Sequence, residues 1–410
     1  PDRPTDENEG PSSMQTSIEV EYWVVDSDGD LTEPGALADV STRTERASVE
    51  PLIAVKTPSC ESISELRTAL ARELEGVLSR ASTLDKRLVP FATPINGDVT
   101  DRRTDGRERI RTAVIGERVD CAKYCAGAGI HIEQRNVTEQ RNVTEQLNTL
   151  LALDPALALV NSSPYVRGDR IANGARSRCH RTESGEAFPK RGRRWRYVET
   201  VGEWYRGLER HYEEFKAAAV EAGVDAATVE ESVSPDDVGW TPVRLHESMP
   251  TIEWRSPDAT LPSQLLRLAD DLETMLDRLH RTTVRIDGAN EGEAGNWTSD
   301  DGDGWTSNDG IGYRYGGPTA RPGHVTGDGI TLPAFETVSE LTESAIRDGL
   351  ESPAVANYLE RMGFSVGDYH PISTRIDGRQ YVTRADARDL RLEYASRLEE
   401  DVDKLSGIGG

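Results

Sequence analysis

The stretch T-I-E-W-R-S-P-D, Thr251 to Asp258, decides how this chain folds. It closes a longer run, W-T-P-V-R-L-H-E-S-M-P, that begins at Trp240. Pro250 and Pro257 bracket six residues, Thr251 to Ser256, with the alternation of a strand. Side chains two apart on a strand share a face. Thr251, Glu253 and Arg255 therefore line one face, and Ile252 and Trp254 the other. A carboxylate and a guanidinium side by side on a buried face are costly unless each meets a partner or a ligand. Two readings stand at this point: a structural ion pair, or a metal-binding Glu beside an anion-binding Arg.

Working outward, Gln15 to Asp26 alternates in the same way. Ile18, Val20 and Tyr22 fall on one side, and Glu19, Glu21 and Trp23 on the other. Paired carboxylates on one strand face repel unless a cation lies between them or the strand is an exposed edge. D-S-D-G-D, Asp26 to Asp30, reads as a turn. It lacks the last ligand of a calcium loop. Val49 to Thr57 predicts a strand with Glu50, Leu52, Ala54 and Lys56 on one face. Leu88 to Pro94 predicts a third, ended by Asn96-Gly97. A-G-A-G-I-H-I-E-Q, Ala126 to Gln134, predicts a strand with Gly129, His131 and Glu133 on one face. A lone histidine is ordinarily structural, but here a carboxylate flanks it at strand spacing. E-Q-R-N-V-T then occurs twice, at Glu133–Thr138 and Glu139–Thr144, a local duplication that lengthens a loop or a helix entry.

Helical stripes fill the gaps. They predict helices over 63–84 (Ser62 capping, Glu65 three residues on), 107–124, 143–154, 155–161, 198–222, 262–287, 334–349, 352–363 and 384–405. Ala175 to Tyr197 is Arg-rich and reads as irregular. Residues 288–329, rich in Gly, Asp, Asn and Ser, read as an insertion or lid. Residues 1–13 read as a disordered extension before a start at Met14, 14–405 as one catalytic domain, and 406–410 as a tail.

The formal net charge is −24, and only six lysines occur: Lys56, Lys86, Lys123, Lys190, Lys216 and Lys404. An acidic, lysine-poor surface suits concentrated salt, where self-repulsion is screened. A halophilic cytoplasm is the expectation, with an ordinary cytoplasm as the alternative. No basic stripe dominates any segment, which argues against nucleic acid. Arg191 to Arg196 is a short basic knot, either near a phosphate-bearing ligand or without function. Cys60, Cys121, Cys125 and Cys179 are scattered, with no C-x-x-C, and are expected to be reduced. No apolar run approaches the ~20 residues of a membrane span, and no secretory signal opens the chain.

Glu19, Glu21, Glu50, His131 and Glu253, with Arg244 and Arg255, describe a cluster for a hard cation such as magnesium, which brings phosphate with it. No G-x-x-x-x-G-K-[ST] loop is present, so a nucleotide would be held mainly through metal, as in phosphoryl transfer by positioning and charge neutralisation.

S-I-E-V-E-Y, V-E-P-L-I-A-V-K-T-P-S-C, G-I-H-I-E, A-L-A-L-V-N-S-S-P-Y and T-I-E-W-R-S-P-D resemble, in order, the motifs of the glutamate–cysteine ligase type 2 family, in its haloarchaeal form. The resemblance covers roughly residues 14–403. It implies an α+β fold: a curved, funnel-like antiparallel sheet with helices on its outer face, the catalytic sheet of the glutamine synthetase/guanido kinase kind. It implies ATP- and magnesium-dependent joining of the glutamate γ-carboxylate to the amine of cysteine through a γ-glutamyl phosphate. Glu19, Glu21 and Glu253 then resemble magnesium ligands, with Glu50 and His131 at weaker positions. Arg255 and Arg244 resemble the arginines that meet a substrate carboxylate or phosphate.

Two positions depart from the family. Ala54 stands where a Glu is usual, and Gly129-Ile130-His131 where His-x-His is usual, unless the alignment slides to make His131 the ligand beside Glu133. An active ligase, a ligase for another amine, and a degenerate relative that binds glutamate or nucleotide all remain open.

Overall fold

The computed structural model describes residues 14–407 except 48, 98–105, 116–119, 135–139, 183–194, 239, 247–249, 280, 288–313, 317–321 and 328. The chain is α+β. Its centre is a seven-stranded sheet built from β1 (Thr16–Asp26), β2 (Thr44–Arg46), β3 (Leu52–Lys56), β4 (Lys86–Val89), β5 (Ala128–Glu133) and, after a short hairpin of β6 (Tyr165–Val166) and β7 (Asp169–Arg170), β8 (Val243–His246) and β9 (Thr251–Trp254). The order is β2-β3-β1-β5-β9-β8, with β4 pairing the far end of β1. Every pairing in it is antiparallel.

Alternation sorts this sheet into two faces. Ile18, Val20, Tyr22, Ile53, Val55, Ile130, Ile132, Leu245, Ile252 and Trp254 are all buried. The helices Ile63–Thr83 and Arg384–Gly407 pack on the β1–β3–β4 side, and Gln140–Ala152 packs on β8 and β9. Pro262–Leu279 joins these three helices into one layer. At about 1.5–3 kcal/mol for each fully buried large apolar side chain, this face holds the strands together. The opposite face carries polar residues where β1, β5, β9 and β8 meet, and buried Trp23, Val25 and Leu52 toward the β4 end.

A second sheet, in the order β11-β10-β13-β12, contains β10 (Thr283–Asp287), β11 (Arg314–Gly316), β12 (His324–Val325) and β13 (Gly329–Leu332). Here β10 runs parallel to both β11 and β13.

Several expectations change. The helix predicted over 262–287 stops at Leu279, and Thr283–Asp287 is the strand β10. The β-branched V-R-I-D outweighs the helical stripe that precedes it. The insertion at 288–329 supplies β11, β12 and the first residue of β13, all paired into that sheet; 288–313 and 317–321 lie outside the described residues. Ala175–Thr182 is a helix where an irregular segment was expected. Most of 107–124 divides into Gly106–Ile115 and Asp120–Lys123. The strand expected from Val49 begins at Leu52, so Glu50 sits in the turn before it.

The cysteines also differ from expectation. Cys121 and Cys179 form a disulfide, with their Cα atoms 5.3 Å apart, while Cys60 and Cys125 are free. The helices carrying Cys121 and Cys179 pack together, although 58 residues separate the two in sequence. Spacing along the chain does not disclose such a pair. Among the described residues no helix is long and apolar enough to cross a membrane.

Candidate functional site

The polar face gathers its side chains through register. Glu19 on β1 lies opposite Lys56 on β3 and Gly129 on β5. Glu21 lies opposite Ala54. His131 lies between Ser17 and Glu253, and Glu253 lies between His131 and Arg244. Six of the seven residues singled out from the sequence, Glu19, Glu21, His131, Arg244, Glu253 and Arg255, thus share one face. Glu50 does not join them: in its turn it pairs with Arg46 at 3.4 Å.

Glu253 is the hub. Its Oε2 lies 2.9 Å from His246 Nε2, and its Oε1 lies 3.4 Å from Arg255 Nε. The His131 and His246 rings are 5.4 Å apart between centroids. Ligand atoms of His131, His246 and Glu253 all fall within 4.8 Å of one another. Glu19 reaches Lys56 at 3.6 Å, and Lys56 also holds Glu45 at 2.7 Å. Arg244 donates to the Asp236 carbonyl at 2.7 Å.

Gly129 has a specific task here. A Cβ at that position would stand 2.8 Å from Glu253 Oε1 and 3.4 Å from His131 Nε2. The carboxylate leans into the space that a side chain would fill. A histidine at 129 is therefore incompatible with Glu253 as placed, and His131 is the imidazole that β5 brings to this face. Glu133, the alternative partner at strand spacing, lies opposite Thr251 and accepts from the Gln15 backbone N–H at 3.2 Å.

The carboxylates differ in charge state. Burial alone would raise the Glu253 carboxyl, but Arg255, the His246 hydrogen bond, His131 and Arg244 together hold it at about 2. Burial pushes Glu21 up to about 6, against the Gly127 N–H that donates to it at 3.0 Å and the charge of Arg176. Glu19 is raised by burial, with Lys56 pulling it down and Glu253 pushing it up. Burial lowers His131 against the pull of Glu253. Glu253 is thus kept ionised by the cationic groups around it, whereas burial makes Glu19 and Glu21 resist ionisation.

Behind the face, R-S-P-D is fixed residue by residue. Arg176, buried on the helix Ala175–Thr182, donates through one Nη1 to the carbonyls of Arg255, Ser256 and Pro257 at 3.1–3.2 Å. Its guanidinium lies where a Cβ at Gly127 would stand, 2.3 Å from that position. Ser256 Oγ donates to Asp154, whose other oxygen takes Arg181 at 2.6 Å. Asp258 accepts from the Ser162 N–H at 2.9 Å. This buried layer sets where Arg255 leaves the sheet.

Sequence reasoning did not single out His246, Arg176 or Glu45. His246 follows Arg244 by two on an alternating V-R-L-H, a legible signal. Arg176 has no signal short of the fold.

No protein-family model matches the chain, and no curated protein matches it. Solved structures do. It is similar to a glutamate–cysteine ligase from Francisella tularensis, solved in complex with AMP, with a TM-score of 0.54 and 11% identity over 96% of this chain and 92% of that one. It is also similar to a bifunctional glutathione synthetase from Pasteurella multocida, with a TM-score of 0.53 and 12% identity over 95% of this chain. Of that longer protein the chain spans only 53%. At such identities the likeness is one of fold: this chain has the fold of carboxylate–amine ligases.

Proposed function

We propose that the protein is an ATP- and magnesium-dependent ligase that joins the γ-carboxylate of glutamate to the amine of cysteine. The carrying observation is the polar face, where Glu19, Glu21, His131 and Glu253 stand beside Arg255 and Arg244 in a ligase fold. In this reading residues 14–405 work as one unit, the sheet has the funnel-like curvature of that family, and the site acts in a salt-rich cytoplasm.

The donor set fits magnesium: three carboxylates and an imidazole leave one face of three neighbouring strands. Glu19, Glu21, Glu253 and His131 would hold it. When bound, the metal neutralises the triphosphate and the oxygens that carry charge during transfer. The rest falls to the chain. Arg255, its outward path set by Arg176, meets a carboxylate or phosphate oxygen with a planar pair of donors. Arg244, half-buried and anchored on the Asp236 carbonyl, adds a second cation. Between them the γ-carboxylate oxygen attacks the terminal phosphorus of ATP and ADP departs. The cysteine amine then attacks the acyl carbon, loses a proton and expels phosphate, giving γ-glutamylcysteine.

Lys56 favours a second reading. It already neutralises Glu19 and Glu45, beside an Ala54 that adds no carboxylate opposite Glu21. That arrangement suits a relative that binds glutamate or nucleotide with little ligation, or that uses another amine. ADP release in molar salt, with magnesium, glutamate and each candidate amine in turn, decides between them. Cysteine-dependent release that Glu253→Gln lowers by at least ~100-fold supports the first. ATP binding without release under any amine overturns it.

A further inference from the structure

We infer that Cys121, Cys125 and Cys179 form a thiol–disulfide exchange site for a small thiol, and that the state of this site sets how firmly Arg255 is held. Cys125, Cys179 and Ala122 make a buried cluster, with Cys121 and Val166 of β6 packed against it. Cys121 and Cys179 are joined, and Cys125, four residues beyond Cys121, donates to the Cys121 carbonyl at 3.2 Å. Cys121 is partly exposed, whereas Cys179 is buried. Access therefore directs an incoming thiol to Cys121. Cys125 lies close enough to the Arg176 guanidinium to act on its charge, and a neighbouring cation favours a thiolate.

The exchange balances without an oxidant. A small thiolate attacks the Cys121 sulfur, the Cys121–Cys179 bond breaks, and Cys179 leaves as a thiolate that takes the Cys125 proton. The Cys125 thiolate then attacks the Cys121 sulfur and releases the small thiolate. A bond between two helices has become a bond within one short segment, and the thiol is recovered. The helix Ala175–Thr182 thereby loses its covalent tie. It has no apolar stripe of its own. It also carries both holds on R-S-P-D: Arg176 on the carbonyls of Arg255, Ser256 and Pro257, and Arg181 on Asp154, which accepts from Ser256. A looser helix leaves Arg255 with a less fixed exit from the sheet. What that means for turnover rests on the ligase reading, in which substrate cysteine and product γ-glutamylcysteine are both small thiols; the exchange itself does not. The plain alternative is a fixed cross-link, which a small thiol leaves in place in the native protein.

The test needs no turnover. Full-length protein in molar salt is incubated without oxygen with stoichiometric cysteine, quenched in acid and alkylated, and its cysteine pairs are mapped by peptide mass. Backbone amide exchange over 175–182 and 251–258 is followed in parallel. Expected are loss of the Cys121–Cys179 pair, appearance of a Cys121–Cys125 pair, and amide exchange over both segments faster by at least ~10-fold. Cys125→Ser should stop at a mixed disulfide between Cys121 and the added cysteine. Cys60→Ser, at the free thiol hydrogen-bonded to the Pro58 carbonyl, should convert like wild type. Melting curves of both variants confirm folding. Persistence of the Cys121–Cys179 pair in folded wild-type protein, or unchanged amide exchange once the pair has moved, overturns the inference even if ADP release is normal. Conversion as expected in a protein that releases no ADP under any amine upholds it while the ligase reading falls.

Discussion

Gly129 shows how one residue carries both the fold and the site. A strand glycine costs roughly 0.5–1 kcal/mol relative to alanine, yet here its missing Cβ is the space into which Glu253 leans. Gly129→Ala should therefore leave the melting temperature unchanged or slightly higher, because the atom it meets is the end of a flexible side chain. Divalent-metal affinity should fall by ~10-fold as the carboxylate is pushed from its partners. Parallel melting and metal titration check this; loss of stability with metal affinity intact would show that the glycine serves the backbone alone. At this scale the sequence was most readable. Period-two alternation placed Glu19, Glu21, His131, Arg244, Glu253 and Arg255 on one face, because a pleated strand leaves side chains no other choice. It misplaced Glu50, since a turn begins where alternation ends, and the alternating polar pattern does not mark that boundary.

Among the elements, the helix Ala175–Thr182 taught most. Its sequence, A-R-S-R-C-H-R-T, has no apolar stripe, so hydrophobic periodicity is silent and the segment read as irregular. It is a helix because its partners are tertiary: Arg176 to three carbonyls, Cys179 to Cys121, and Arg181 to Asp154. Arg176→Met keeps most of the volume but leaves three buried acceptors short of a donor. It should cost about 3 kcal/mol, seen as a lower denaturant midpoint at unchanged slope. Activity should fall mainly in kcat, as Arg255 loses its fixed exit. A shift in KM alone would assign Arg176 a merely structural role. The disulfide makes a simpler prediction. Denatured, unreduced protein should titrate two thiols, Cys60 and Cys125, and four after reduction. Four before reduction would restore the sequence-based expectation.

For the molecule as a whole, net charge and buried charge act in different ways. The charge of −24 is a surface quantity that salt screens, so pH effects are best read in molar salt, where buried groups dominate. Asp258 is such a group. It is buried, accepts from the Ser162 N–H, and its other oxygen has no hydrogen-bond partner among the described residues. Burial, opposed by Arg176 and the Ser162 N–H, pushes its carboxyl up to about 7 from 3.8. A raised acid pKa means the native state holds a proton that the unfolded chain releases. Its contribution to stability is then full below about pH 4 and is lost as pH rises to about 7, on the order of 4 kcal/mol across that window. Asp258→Asn keeps an acceptor for Ser162 and cannot ionise. Relative to wild type, it should differ little at about pH 4 and be more stable by ~4 kcal/mol at about pH 8. Glu21, also raised, to about 6, slopes the same way in both proteins and cancels in the difference. Denaturant midpoints at the two pH values measure it. A gap between variant and wild type that stays constant with pH would mean that Asp258 is ionised throughout, with Arg176 compensating its charge in full.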